Sequence, residues 1–216
     1  MLSVITKGVK EAQKELERDA KQTKFAAAVA LTRTAKKAKD VLQKEIGSSF
    51  DRPKPFTTKS IKFEKATKTK LQATVSIKPI TAQYLAHHVE KRDRLSKGFE
   101  SALRTKGLLP SGMYAVPGPG IKLNQYGNAG RAVLRKIITE VSTRGGKYFV
   151  ATIRGITAIW MRHGRGGRAI KPMLIFIPKP SYSPRFDFYG TAEKVFKNHF
   201  EKEFDKALEQ ALRTAR

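Results

Sequence analysis

The sequence predicts an α+β fold in which a mostly antiparallel sheet packs against long N- and C-terminal helices. Three observations lead there. An alanine-rich, charged stretch near the N-terminus reads as a long helix. The residues after it alternate with a period of two. The last part of the chain returns to apolar residues at every fourth position.

The elements follow in order. Residues 8–46 read as helix. Lys10 to Lys24 is charged nearly all round, with Glu11, Glu15 and Asp19 spaced to pair with Lys14 and Arg18. The next run, Phe25-Ala-Ala-Ala-Val-Ala-Leu-Thr-Arg-Thr-Ala, is a strong helix former. In it and beyond, Phe25, Val29, Thr32, Ala35, Leu42 and Ile46 fall near one stripe. Gly47 stands where helices commonly stop. Two prolines in Asp51-Arg-Pro-Lys-Pro-Phe forbid helix and central strand and mark a linker.

The period then becomes two. Ile61 and Phe63 alternate with Lys62 and Glu64, and Leu71, Ala73, Val75 and Ile77 with Gln72, Thr74, Ser76 and Lys78. This is the pattern of an antiparallel hairpin with one buried face. Ile80 to Val89 is a short apolar element whose type the pattern leaves open. From Glu90 to Gly130 no periodicity is visible, and Gly107-Leu-Leu-Pro-Ser-Gly and Pro117-Gly-Pro-Gly break the chain repeatedly. The sequence therefore predicts one domain over 1–216, with 90–130 an extended loop or insertion that serves an interaction. A short helix is expected within Ala129 to Thr143, a turn at Arg144-Gly-Gly-Lys, and strands at Tyr148–Ile153, Ile156–Met161 and Met173–Ile177. In the C-terminal helix Phe196, Phe200, Phe204, Leu208 and Leu212 recur every four residues, flanked by Ala192, Ala207 and Ala211, and the Phe196, Phe200, Phe204 and Leu208 stripe is expected to lie on the sheet.

Charge narrows the choice of partners. Lys plus Arg number 44 against 18 Asp plus Glu, a net charge of +26. Such a chain repels itself and calls for a polyanion or an acidic protein surface. The excess is uneven: +11 over residues 1–80, +14 over 81–190 and +1 over 191–216. There is no cysteine, which excludes disulfides, zinc–thiolate sites, iron–sulfur clusters and thiol nucleophiles. No apolar run approaches the roughly 18 residues of a membrane span, so no membrane association is expected.

Enzyme chemistry finds little to stand on. Arg144-Gly-Gly-Lys-Tyr lacks the upstream glycine and the hydroxyl of a phosphate-binding loop, and no zinc-protease, serine-hydrolase or dinucleotide motif is present. His87-His88, with Glu90 and Asp93 nearby, is the one metal-like cluster. Read as strand neighbours, the two histidines point to opposite faces and do not share an ion. No catalytic residue, metal or cofactor is expected. Nucleic-acid backbone contact is the better match. Arg162, Arg165 and Arg168 stand among glycines that let the backbone approach a phosphate, and Lys91, Arg92, Arg94 and Lys97 form a second cluster. These seven residues are the candidate contacts to nucleic acid or to an acidic partner. The bland alternative is a pair of solvated basic loops.

The order of these features carries a resemblance. An alanine-rich helix ending in Ala-Leu-Thr-Arg-Thr-Ala (30–35), a Lys-rich hairpin, basic Gly/Arg strands, a Pro-rich strand exit at Phe176-Ile-Pro-Lys-Pro and a terminal amphipathic helix together resemble the minor tail protein Z group of lambda-like phages, and more loosely the related tail-completion and neck proteins. The resemblance implies a virion component of the tail or head–tail neck, present in the host cytoplasm during assembly. It implies a homo-oligomeric ring around the DNA path, other tail or neck proteins as partners, and non-specific contact with genomic DNA. It carries no catalytic or ligand residues. A cellular protein that binds nucleic acid without sequence preference is the competing expectation.

Overall fold

The computed structural model describes residues 9–90, 95–141, 143, 145–180 and 183–214. They form six α-helices and two antiparallel sheets, an α+β fold with long helices at both ends. The chain gathers into two compact units. The first holds 9–50, 55–82 and 186–214, and the second holds 51–54 and 83–185 within the described residues.

In the first unit, α1 (Val9–Ser49) and α6 (Phe188–Thr214) lie side by side. Their contacts fix an antiparallel register. The Glu45 carboxylate accepts the Asp187 backbone N–H at 3.2 Å, Lys37 Nζ lies 3.3 Å from His199 Nδ1, and Arg33 pairs with Glu203 at 3.6 Å. Continued, this register brings Ala26 and Ala30 level with Ala207 and Ala211, all of them 2% exposed or less. Small side chains let two helix backbones approach closely, so the alanines form the seam.

The short helix α2 (Pro55–Thr58) leads into β1 (Ile61–Glu64), which pairs with β2 (Thr74–Ile77). Ile61 faces Ile77 and Phe63 faces Val75, which puts the apolar residues on one face. That hairpin packs on α1: Gln43 donates to the Ile61 carbonyl at 3.4 Å, and Thr32 Oγ1 accepts the Ala66 N–H at 3.1 Å.

Three expectations need correction here. Phe25 is 38% exposed and stands outside the buried stripe of α1, which runs instead through Ala26, Ala30, Thr34, Ala38, Leu42 and Ile46. Leu71 is 45% exposed and precedes the strand. In α6 the buried residues are Val195, Ala207 and Ala211, whereas Phe196 is 45% exposed and Phe200, Phe204 and Leu208 are half-buried. The most deeply buried residues of this face are therefore its alanines: Ala207 and Ala211 follow Phe200 and Phe204 by seven residues, and the half-buried rings stand on the same side of the helix.

α3 (Pro79–Val89) begins in the first unit and ends in the second. The second unit is built on a sheet with strand order β3 (Tyr114–Pro117), β6 (Ala169–Ile177), β5 (Ile156–His163) and β4 (Tyr148–Ile153), every pair antiparallel. The β4–β5 hairpin turns on Arg154 and Gly155, both at positive φ (49° and 76°), the backbone of a tight two-residue turn. Tyr148, Ile159, Leu174, Phe176 and Ala115 share one face of the sheet. With Leu103 of α4 (Gly98–Thr105) and Ile137 and Val141 from α5 (Arg131–Glu140) and its C-terminal end, they make the core of this unit.

Residues 90–130, expected to lack regular structure, hold α4, β3 and a compact turn. Leu103, Leu109, Ala115 and Ile121 from this stretch are at most 5% exposed. One carboxylate ties it together. Glu100, fully buried, accepts the Lys97 backbone N–H at 2.7 Å and the Ala115 N–H at 2.9 Å, and so joins the start of α4 to β3. The glycines answer to close approach: a Cβ on Gly118 would meet the Pro172 carbonyl oxygen at 2.6 Å.

Candidate functional site

The β5–β6 connection is the glycine-rich basic turn singled out above. β5 ends at His163, a single 3-10 turn spans Arg165–Gly167, and β6 begins at Ala169. Gly164, Gly166 and Gly167 all have positive φ (80°, 65° and 68°), which residues with a side chain adopt only under strain. The glycines thus permit this reversal.

The three arginines of the turn do different things. Arg162 faces inward. Its Nη1 donates to the Gly146 carbonyl at 2.7 Å, its backbone N–H donates to the Lys147 carbonyl at 2.9 Å, and its guanidinium stands 4.0 Å from the Phe149 ring centroid. It is half-buried, and it pins the end of β5 to the turn that leads into β4. Arg165 and Arg168 are exposed. The expectation that all three arginines are equivalent contacts is corrected for Arg162, whose hydrogen-bonding capacity is partly spent on the fold.

Strand register adds residues that the sequence alone does not group. Lys147 is exposed beside Arg162, and Lys171 stands opposite Met161 on β6. This end of the sheet therefore carries Lys147 beside the pinned Arg162, with Arg165 and Arg168 in the turn, while Lys171, paired with Met161, lies on the opposite face. A period-two pattern with a known turn would have located Lys171. Lys147 needed the Arg162 contact. Of the second basic cluster, Lys97 is exposed at the N-terminus of α4, on a separate element. Lys91, Arg92 and Arg94 lie outside the described residues. Arg131 and Arg135, one turn apart on the exposed side of α5, are further basic residues in this unit that the sequence reading passed over.

What the arrangement offers is exposed positive charge. Among its described residues the second unit has four acids, of which Asp51 pairs with Arg52 at 2.9 Å. Glu100 is buried in backbone hydrogen bonds, Glu140 lies 3.8 Å from Lys136, and Glu90 follows α3. His87 and His88 sit on α3, a helix, so the argument from strand neighbours is corrected. Their rings meet edge to face with centroids 5.9 Å apart. Burial lowers the His88 pKa below its usual 6.5, and the charges of His87 and Arg185 lower it further. Among the described residues no group of three His, Asp or Glu is placed to hold a metal ion. A groove of about 620 Å³ between α1 and α6 is lined by Val41, Lys44, Glu45, Val195 and His199, among others, and its one carboxylate already accepts the Asp187 N–H. Among the described residues no helix is long and apolar enough to cross a membrane.

Compared with known protein families, curated proteins and solved structures, the chain matches none.

Proposed function

We propose that this chain is a structural component of a bacteriophage tail or head–tail neck that acts by assembly and not by catalysis, with its basic second unit facing a polyanion such as the packaged DNA. One observation carries the reading. Residues 83–185 hold 19 basic and four acidic residues, and at the β5–β6 turn exposed arginines are presented on a backbone that glycines alone accommodate. Such a surface suits sequence-independent phosphate contact, since guanidinium groups neutralise phosphates and no base-reading element is required. The resemblance to the minor tail protein Z group supplies the setting, a ring of identical subunits around the DNA path.

The test is composition. Mass spectrometry of purified tailed particles from the phage that supplies this sequence should find the chain at a fixed, multiple copy number, in tails or necks as well as in whole particles. Absence from finished particles, together with recovery on cellular nucleic acid, would overturn the virion reading and establish the cellular nucleic-acid-binding one.

A further inference from the structure

The first unit carries a concentration of positive charge of its own. Residues 59–78 hold six lysines and a single acid, Glu64. All six lysines are exposed, and Glu64 lies 3.3 Å from Lys62 Nζ. Three of them, Lys65, Lys68 and Lys70, fall in the connection between β1 and β2. That connection is a fastened loop. The Thr67 N–H donates to the Lys70 carbonyl at 2.9 Å, and the Lys70 N–H donates to Thr67 Oγ1, also at 2.9 Å. The Ala66 N–H donates to Thr32 Oγ1 of α1 at 3.1 Å, and Lys68 Nζ stands 4.8 Å from the centroid of the Phe25 ring.

The contact with Phe25 adds lysines from a second element. Lys21 and Lys24 precede Phe25 on α1, and both are exposed. Lys21 stands one turn away on the same helix face. Like charges repel, and a loop fastened to a helix cannot spread them apart. An anion seated among them relieves that repulsion. The other side chains of the loop say which kind. Besides its lysines it exposes Thr67, Thr69 and Gln72, with Leu71 as its one exposed large apolar residue. Protein interfaces have an apolar or aromatic centre and are poor in lysine. A membrane surface takes apolar anchors beside its basic residues. Phosphodiesters are met by ammonium groups and by threonine hydroxyls, as here.

We propose that the β1–β2 loop of the first unit is a separate phosphate-binding surface, on which Lys65, Lys68 and Lys70, flanked by Lys21 and Lys24 of α1, meet the backbone of a nucleic acid without reading its sequence. This goes beyond the reading above, which places the contact on the second unit, and it stands or falls apart from it. The two surfaces work through different side chains. Arg165 and Arg168 present planar guanidinium forks, whereas the loop presents point charges on flexible stems, which suit any backbone conformation. A chain that uses both meets its polyanion at two places, and their salt dependences add, because each neutralised phosphate releases its own counterions.

The experiment is a salt titration of binding by the full purified chain to two duplex DNAs of unrelated sequence, read by fluorescence anisotropy. The wild type is compared with Lys65→Gln/Lys68→Gln/Lys70→Gln and with Arg165→Ala/Arg168→Ala. A third variant, Lys194→Gln/Lys202→Gln/Lys206→Gln, removes the same charge from exposed positions of α6. The loop variant should flatten the plot of log affinity against log salt by about 2.7, at about 0.9 per contact, equally on both duplexes. The α6 variant should keep the wild-type slope. Should the loop variant melt early, because Lys68 lies over Phe25, Lys65→Gln/Lys70→Gln takes its place with an expected change of about 1.8. A folded loop variant with the wild-type slope overturns the proposal, and a flattened slope for the arginine variant in the same assay leaves the second-unit reading standing. The reverse pair of results supports the loop and removes the arginine turn from the contact. Equal flattening by the loop and α6 variants overturns the proposal, since net charge alone then accounts for both. So does a wild type that fails to bind duplex DNA at low salt. Loop-dependent binding to phosphatidylserine vesicles, beside an unchanged DNA slope, assigns the lysines to a membrane surface, against the nucleic acid proposed here.

Discussion

The guanidinium of Arg162 lies 4.0 Å from the centroid of the Phe149 ring, with Nη1 held 2.7 Å from the Gly146 carbonyl oxygen. Phe149 pairs across the strands with Trp160, and Arg162 is two residues further along β5, so ring and cation share a face of the sheet as diagonal neighbours. Arg162→Ala removes a charged hydrogen bond and a cation–π contact and should cost about 1–3 kcal/mol in chemical denaturation. Arg162→Lys should recover only part of that, since an ammonium cannot lie flat on the ring and reach the carbonyl together. A loss near zero for alanine would make Arg162 a surface cation like its two neighbours.

Arg165 and Arg168 give the opposite expectation. They are exposed, and replacing both with alanine should leave stability within about 0.5 kcal/mol of the wild type. If each contacts a phosphate, the salt dependence of duplex binding should flatten by about 1.8, at about 0.9 per contact, and equally for any sequence. An unchanged slope with normal folding would leave the turn a solvated loop.

Glu100 joins two elements by its two oxygens, so its removal should be felt in both. Glu100→Ala leaves the buried N–H of Ala115 without its acceptor and the N-terminus of α4 without its cap. A cost of about 2–4 kcal/mol is expected in urea denaturation. Glu100→Gln keeps an acceptor for one of the two donors and should lie between. Equal stability of all three would mean that water replaces the carboxylate at no cost.

Much of the fold can be read in the sequence, and the parts that cannot have physical causes. β4 spans Tyr148–Ile153 as the alternation predicts, and the β1–β2 hairpin buries the expected face. The apolar residues of these strands stand in runs or alternate with polar ones, so the pattern shows even in the four-residue β1 and β2. α4 has eight residues and β3 four, and a buried acid fastens them where a pattern reader expects an apolar residue. The segment 90–130 therefore looks structureless in the sequence. In the β5–β6 turn, composition treats Arg162, Arg165 and Arg168 alike. Only register shows that the first lies over Phe149.

The position of His88 gives the second unit a pH dependence with a definite sign. Burial, reinforced by the charges of His87 and Arg185, lowers its folded pKa below the 6.5 of an unfolded chain. The unfolded state therefore takes up the proton first. The contribution of His88 is fully present above pH 6.5 and is lost as the pH falls from 6.5 through the folded value, with a slope of at most about 1.4 kcal/mol per pH unit. His88→Gln should flatten that limb of the stability curve relative to the wild type. Identical slopes for the two proteins between neutral and mildly acid pH would show that His88 titrates alike in both states.

The side that α6 turns to α1 makes the most direct test of how the first unit is held. A helical period of four identifies a stripe but not its neighbour, and here the neighbour is α1, met most closely by Ala207 and Ala211, which follow Phe200 and Phe204 by seven residues. Ala207 is 2% exposed in the seam with α1. A leucine there must push the helices apart or leave its rotamer, at about 1–3 kcal/mol. Phe204 is only half-buried and stacks on Phe200, so Phe204→Ala should cost about 1–2 kcal/mol, less than the roughly 3–5 of a buried ring. The small change at Ala207 should therefore rival or exceed the large truncation at Phe204. Chemical denaturation of the two variants decides it. A Phe204→Ala loss of buried-ring size beside a tolerated Ala207→Leu would show that the rings, and not the alanines, hold α6 in place.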